Sequence, residues 1–157
     1  RFYYKLNELS LLDLALSLHS MKVLQQGGFS PITPPYLVKR EVESRATTLD
    51  AFEEMLYKVE GEDLYLIPTA EHPIAAFNSG RVIPEAELPL RYCGFSTAFR
   101  KEAGAHGKDT KGIYRNHHFN KVEQYVIATP SQIEDELNRV INNQAVLLLS
   151  LNIPIRA

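Results

Sequence analysis

Arg100, Glu102, Arg115, Phe119 and Glu123 are the side chains best suited to chemistry, and they lie in two nearby segments. Residues 90–102 and 113–128 both read as strands, joined by a loop rich in glycine and charge. Side chains at i and i+2 of a strand share a face. One face of the second strand then carries Arg115, His117, Phe119, Lys121 and Glu123, and the other Asn116, His118, Asn120, Val122 and Gln124. Arg100 and Glu102 share a face of the first strand. An antiparallel hairpin can bring Arg100, Glu102, Arg115, Phe119 and Glu123 onto one surface.

Such a surface suits ATP together with an amino acid. Two guanidinium groups can clamp phosphate oxygens through charge-assisted forks. A phenyl ring can stack on a purine, and a carboxylate can take an ammonium or a hydroxyl. Phe119 and Glu123 lie roughly 13 Å apart along a strand. That is the order of the distance between the two ends of an aminoacyl adenylate. Parity alone fits equally a solvated hairpin with alternating charges. His117 and His118 point to opposite faces, so joint metal ligation is not expected.

The elements that must position this surface follow from pattern. Leu6, Leu9, Leu12 and Leu16, with Leu11, Leu14, Leu18 and Met21, recur at helical spacing over residues 6–26. Their arc is wider than one core face needs, which suggests contact with another subunit. Gly27 and Gly28 stop the helix. Three prolines make residues 29–38 an extended edge segment. Residues 39–54 are charged and partly helical, with Lys39, Arg40 and Glu41 on a solvated face. Residues 57–59 and 64–68 read as a hairpin around Glu60-Gly61-Glu62-Asp63, and residues 70–79 as a short helix. Thr129-Pro130-Ser131-Gln132 is a capping box opening a last helix. Its apolar stripe is Ile133, Leu137, Val140, Ile141, Ala145 and Leu148. Residues 153–156 read as the opening of another strand. The order argues for an α+β fold, a mostly antiparallel sheet flanked by helices. Neither GxGxxG nor a P-loop is present.

Composition narrows the classes. The 157 residues suit one compact domain, and 45% hydrophobic residues suffice for a core. A formal net charge of -2 confines any nucleic-acid contact to a local patch or to a region outside this chain. The lone Cys93 reads as a small buried side chain and favours a reducing, cytoplasmic setting. No stretch reaches the ~20 apolar residues needed to span a membrane. His19 reads as interfacial or solvated, and Lys108 and Lys111 as a solvated charged loop.

Phe99-Arg100-Lys101-Glu102 followed by Arg115-Asn116-His117-His118-Phe119-Asn120-Lys121-Val122-Glu123 resembles motif 2 of class II aminoacyl-tRNA synthetases, in its seryl form. Gly28-Phe29 with Pro34-Pro35-Tyr36-Leu37-Val38 resembles motif 1. Leu66-Ile67-Pro68-Thr69-Ala70-Glu71 is similar to the seryl TAE segment. Ala103-Gly104 and Gly107-Lys108-Asp109-Thr110-Lys111-Gly112 look like the loop of motif 2. The resemblance is closest in flavour to archaeal seryl-tRNA synthetases and covers nearly the whole chain. It divides the chain into motif 1 (about 6–38), the TAE segment (66–71) and motif 2 (about 91–127).

The resemblance implies an incomplete class II catalytic core acting on ATP and serine, with Arg100, Glu102 and Arg115 in the catalytic role. Arg100 would bind the α-phosphate, Arg115 the γ-phosphate, Phe119 the adenine ring, and Glu102 the adenine end. Thr69, Glu71, Arg100 and Glu123 would bind serine. It implies seryl-adenylate formation, transfer to tRNA(Ser) in the intact parent, and a homodimer joined through motif 1. Motif 3, which supplies a further arginine and an acidic Mg²⁺ ligand, and the N-terminal tRNA-binding arm find no match in this sequence. ATP binding by this chain is therefore expected to be weak. His118 stands where the family has Gln, on the face opposite the nucleotide, so a packing change is expected. The alternatives are a synthetase for proline or threonine, an amino-acid ligase acting on a carrier protein, and a non-catalytic binding or dimerisation module.

Overall fold

The structure, a computed structural model, describes residues 2–46, 53–102 and 113–156. Helix α1 (Glu8–Gln26) ends where Gly28 takes a φ of 88°, the left-handed region that glycine enters without cost. The Phe29 N–H then returns to the Leu24 carbonyl at 3.0 Å. This turn delivers Phe29, 2% exposed, into the core beside Leu24 and Cys93. Strand β1 (Ser30–Ile32) follows and pairs in parallel with β5 (Leu90–Phe99). It is an edge strand, where Pro31 forfeits no interior hydrogen bond.

A smaller sheet is built from β2 (Leu37–Lys39), β3 (Tyr57–Lys58) and β4 (Leu64–Leu66), antiparallel in the order β2-β4-β3. Helix α2 (Arg40–Ala46) leaves β2 directly. Helix α3 (Glu71–Phe77) follows β4 after a short turn and lies on β5. The Lys39-Arg40-Glu41 run straddles β2 and α2 and is exposed. Strand β6 (His118–Ile127) pairs antiparallel with the whole of β5, so the main sheet reads β1-β5-β6. Helix α4 (Ile133–Ser150) closes the described chain. The Thr129 N–H donates to Gln132 Oε1 at 3.0 Å, as the capping-box reading expects.

Sequence pattern misplaced three features. The strands expected over 90–102 and 113–128 stop at Phe99 and begin at His118. The Arg100 N–H still reaches across to the His117 carbonyl at 2.9 Å, but the Lys101 N–H turns to Met55 instead. Glu102 then adopts a φ of 53°, which ends the extended run. Parity therefore does not govern Arg100, Glu102, Arg115 or His117. In α4, Ile133, Leu137 and Ile141 are 56–57% exposed, while Glu136 and Asn143 are buried. Polar bonds choose that inward face. Glu136 takes both nitrogens of a fork from Arg91 at 2.6 Å, and Asn143 donates to Gln124 at 2.7 Å. Residues 153–156 form no strand. The expectations for Lys108, Lys111 and the rest of 103–112 lie outside the described residues, as does the stretch 47–52.

The broad apolar arc of α1 is real. Leu9, Leu11, Leu12, Leu14, Leu16 and Leu18 are 43–68% exposed. His19 ties α1 to α4 through a 2.8 Å bond with Ser150. No described helix is long and apolar enough to cross a membrane.

Candidate active site on one face of a hairpin

Residues directly opposite in an antiparallel pair share a face. The register sets Ala98 against Phe119, Ser96 against Lys121, and Gly94 against Glu123. Small residues on β5 thus floor a surface whose chemistry comes from β6. Gly94 has a steric role. A Cβ there would lie 2.4 Å from Ile74 Cδ1 and 3.3 Å from Ala70 Cβ. Its absence lets α3 settle on the sheet, which brings the preceding Thr69 to Glu123.

At that end the polar groups satisfy one another. The Thr69 hydroxyl, 5% exposed, donates to Glu123 Oε2 at 2.8 Å. It accepts from Lys121 Nζ at 3.0 Å and from the Glu71 N–H at 3.3 Å. Lys121 also pairs directly with Glu123. Glu71 is exposed at the start of α3. Burial, and secondarily the Glu71 charge, push the Tyr125 hydroxyl above its ordinary value.

At the other end lies a cleft of about 590 Å³ lined by Arg100, Glu102, Tyr114, Arg115, Asn116 and Phe119, with Ile113. The Arg100 guanidinium carbon sits 5.3 Å from the Phe119 ring centre, within cation–π range. Arg100 Nε donates to the Pro68 carbonyl at 3.1 Å, while its terminal nitrogens have no hydrogen-bond partner among the described residues. Arg115 donates to Glu102 at 3.0 Å, and Glu102 is only 10% exposed. His117 Nδ1 is 3.0 Å from the Arg100 carbonyl and 2.7 Å from the Tyr57 hydroxyl. With its proton on Nδ1 the ring donates to the Arg100 carbonyl, and without it Nδ1 accepts from the Tyr57 hydroxyl. His118 belongs to the opposite face, where its ring stacks on Tyr3 at 5.1 Å.

The structure brings Arg100, Glu102, Arg115 and Phe119 together at one end and Thr69 and Glu123 at the other, with Glu71 exposed beside Thr69; Arg100, Glu102 and Arg115 arrive by turns and not by strand parity. Lys121, His117 and Tyr57 are additional members. Parity had already set Lys121 between Phe119 and Glu123, which is the signal that marks it. Tyr57 is distant in sequence and gave none. Among the described residues, no group of three or more His, Cys, Asp and Glu could hold a metal ion.

Comparison with known proteins places this arrangement. The family model of the tRNA synthetase class II core domain (G, H, P, S and T) matches residues 54–157. The chain is 53% identical over 156 residues to the serine–tRNA ligase of Thermococcus kodakarensis, covering 99% of this chain and 34% of the relative. It is equally similar, 53% over 156 residues and with the same coverage, to that of Archaeoglobus fulgidus. It thus spans about a third of the length of the curated relatives it matches. The crystal structure of seryl-tRNA synthetase from Pyrococcus horikoshii complexed with ATP superposes with a TM-score of 0.90 at 50% identity, over 95% of this chain and 33% of that one. A cytoplasmic serine–tRNA ligase from Naegleria fowleri in complex with AMP gives 0.87 at 43% identity, over 93% and 35%. A pyrrolysyl tRNA synthetase at 19% identity shares the fold, with a TM-score of 0.69 over 90% of this chain and 47% of that one. The chain therefore belongs to the class II tRNA synthetase core-domain family, and the enzymes it resembles at about half identity are serine–tRNA ligases.

Proposed function

We propose that this chain forms the ATP- and serine-binding half of an enzyme that makes seryl-adenylate and passes serine to tRNA(Ser). The observation that carries this reading is the division of labour on β6. Arg100 stacks over Phe119 at one end, and Thr69 bonds Glu123 at the other. The relative from Pyrococcus horikoshii was solved with ATP and that from Naegleria fowleri with AMP, which supports the nucleotide assignment.

In this reading the serine carboxylate attacks the α-phosphorus of ATP and pyrophosphate leaves. No side chain need remove a proton from a carboxylate, so the chain contributes position and charge. Arg100 is tethered through Nε, which leaves two amino groups to bind the α-phosphate and the serine carboxylate. Phe119 takes the adenine ring and Glu102 steadies that end. Arg115 trades its bond with Glu102 for the γ-phosphate. Glu123 and Thr69 receive the serine ammonium and hydroxyl, with Glu71 at the rim. Alanine would leave that buried network short of a partner.

Mg²⁺ would accompany the ATP phosphates. Among the described residues no group of three or more His, Cys, Asp and Glu could hold it, and no step here runs through the metal. The exposed leucines of α1, continuous with a cleft of about 530 Å³ bounded by Leu14, Leu18, Met21, Pro31 and Phe95, support a homodimer through this helix. Cytoplasmic residence fits the single buried, unpaired Cys93.

The test is ligand-induced stabilisation of this chain by the sulfamoyl analogue of seryl-adenylate, with the alanyl, threonyl and prolyl analogues as controls. The seryl compound is expected to raise the melting temperature most. Equal shifts from all of them would contradict a serine site, and no shift from any would favour a non-catalytic module.

A further inference from the structure

One buried polar pair takes no part in the site described above. Glu43 of α2 is 0% exposed and His72 of α3 is 4% exposed. His72 Nδ1 lies 2.5 Å from Glu43 Oε2, while Glu43 Oε1 has no hydrogen-bond partner among the described residues. Taking such groups out of water is costly, and an apolar pair would join two helices more cheaply. A bond of this kind adds direction, which apolar packing lacks.

What the bond directs is the first turn of α3. His72 follows Glu71, whose N–H bonds the Thr69 hydroxyl at 3.3 Å. The Ile74 N–H closes the turn onto the Ala70 carbonyl at 3.1 Å. On its sheet side this turn meets Gly94 through the apolar Ala70 and Ile74, side chains that supply packing but no hydrogen bond. On its other side it meets α2 through Glu43. A slide or rotation of the turn would move Thr69 away from Glu123, its partner at 2.8 Å.

We infer that Glu43 and His72 are positioning residues for the serine end of the site: their bond fixes the turn that aims Thr69 and Glu71 at Glu123. The inference rests on the serine reading proposed above, and it distinguishes the two ends of the site. Arg100 is tethered to the Pro68 carbonyl, next to Thr69, but its backbone N–H is also bonded to the His117 carbonyl across the hairpin, so the nucleotide end keeps a hold that does not run through this turn and should depend on the Glu43–His72 bond less.

The test compares affinities of the 157-residue chain for the sulfamoyl analogue of seryl-adenylate and for AMP, by calorimetry or fluorescence competition. The variants are Glu43→Gln, His72→Gln and the milder Glu43→Asp, each checked for its melting temperature. Affinity for the seryl analogue is expected to fall at least tenfold while that for AMP changes less than twofold. Glu43→Gln, which keeps an acceptor, should lose less than His72→Gln. A parallel fall of both affinities, or an unchanged seryl affinity in a folded variant, overturns the inference. So does failure of all three variants to fold, which would assign the pair to the fold alone. Wild-type chain that binds AMP but does not prefer the seryl analogue would instead defeat the serine reading itself.

Discussion

The two ends of the candidate face on β6 are built differently. Around Glu123 the polar atoms are already bonded to one another: Thr69 to Glu123, Lys121 to both, and the Glu71 N–H to Thr69. Around Phe119 the cleft is open. Arg100 is held by one nitrogen only, and Arg115 is 48% exposed with Glu102 as its partner. A closed network recognises a small ligand by substituting one hydrogen bond for another, so a ligand lacking the right group leaves a buried partner unsatisfied. An open cationic cleft recognises charge and a ring face, and tolerates variation in what it holds. Selectivity should therefore reside at Glu123, and most of the binding energy at Arg100.

The largest effect that could break this contrast is expected at Arg100. Arg100→Ala should weaken the seryl-adenylate analogue by about 10²–10³-fold, the range for loss of one preorganised charged donor. Arg100→Lys should restore little, because the Nε tether and the fork are lost together. Titration calorimetry decides, and a loss of less than about fivefold would contradict the assignment of binding energy.

Glu123→Gln should sharpen the other half of the contrast. Preference for the seryl over the alanyl analogue is expected to drop by about 10²-fold while AMP affinity holds. The same competition assay reads it, and an equal loss for AMP would mean that the two ends are not separable.

Glu136→Gln is the control that should touch both ends alike, through stability. Bonding from Arg91 holds the Glu136 carboxyl below its ordinary range. The change should cost about 2–3 kcal/mol at pH 7 in urea melts. A carboxyl depressed in the folded state gives stability that is complete above its unfolded value of roughly 4.3 and fades as pH falls through the folded value. The gap between wild type and variant should therefore narrow below about pH 4. A constant gap down to pH 2 would contradict the Arg91 bond.

Ser96→Ala should have the smallest effect. Ser96 sits opposite Lys121, between the two ends, and its hydroxyl is buried without a partner among the described residues. Removing it should change stability by less than about 1 kcal/mol, towards greater stability. A larger loss in thermal melts would show that the hydroxyl is bonded after all.

The residues that the sequence made legible are those governed by strand periodicity. Phe119, Lys121 and Glu123 share a face because they alternate along one paired strand, and the order of residues reveals that. Arg100, Glu102 and Arg115 reach the same surface by bends. These depend on the Lys101 N–H choosing Met55 and on the left-handed backbone at Glu102, both non-local or strained features. Thr69 was reachable only through resemblance, since nothing near it in sequence points to Glu123. The stripe expected to bury α4 holds at Val140, which packs against the core, and fails at Ile133, Leu137 and Ile141 for a related reason. Arg91 and Gln124 bond Glu136 and Asn143, and those long-range polar contacts outweigh the apolar periodicity of the helix. The pair of Glu43 and His72 spans separate elements and leaves no local pattern.

The most direct test of the account is a paired competition on this chain, displacing the seryl-adenylate analogue with AMP and with serine, in wild type, Phe119→Ala and Glu123→Gln. The account predicts that Phe119→Ala weakens AMP and spares serine, and that Glu123→Gln does the reverse. If both variants weakened both competitors equally, the division of β6 into a nucleotide end and a serine end would be wrong.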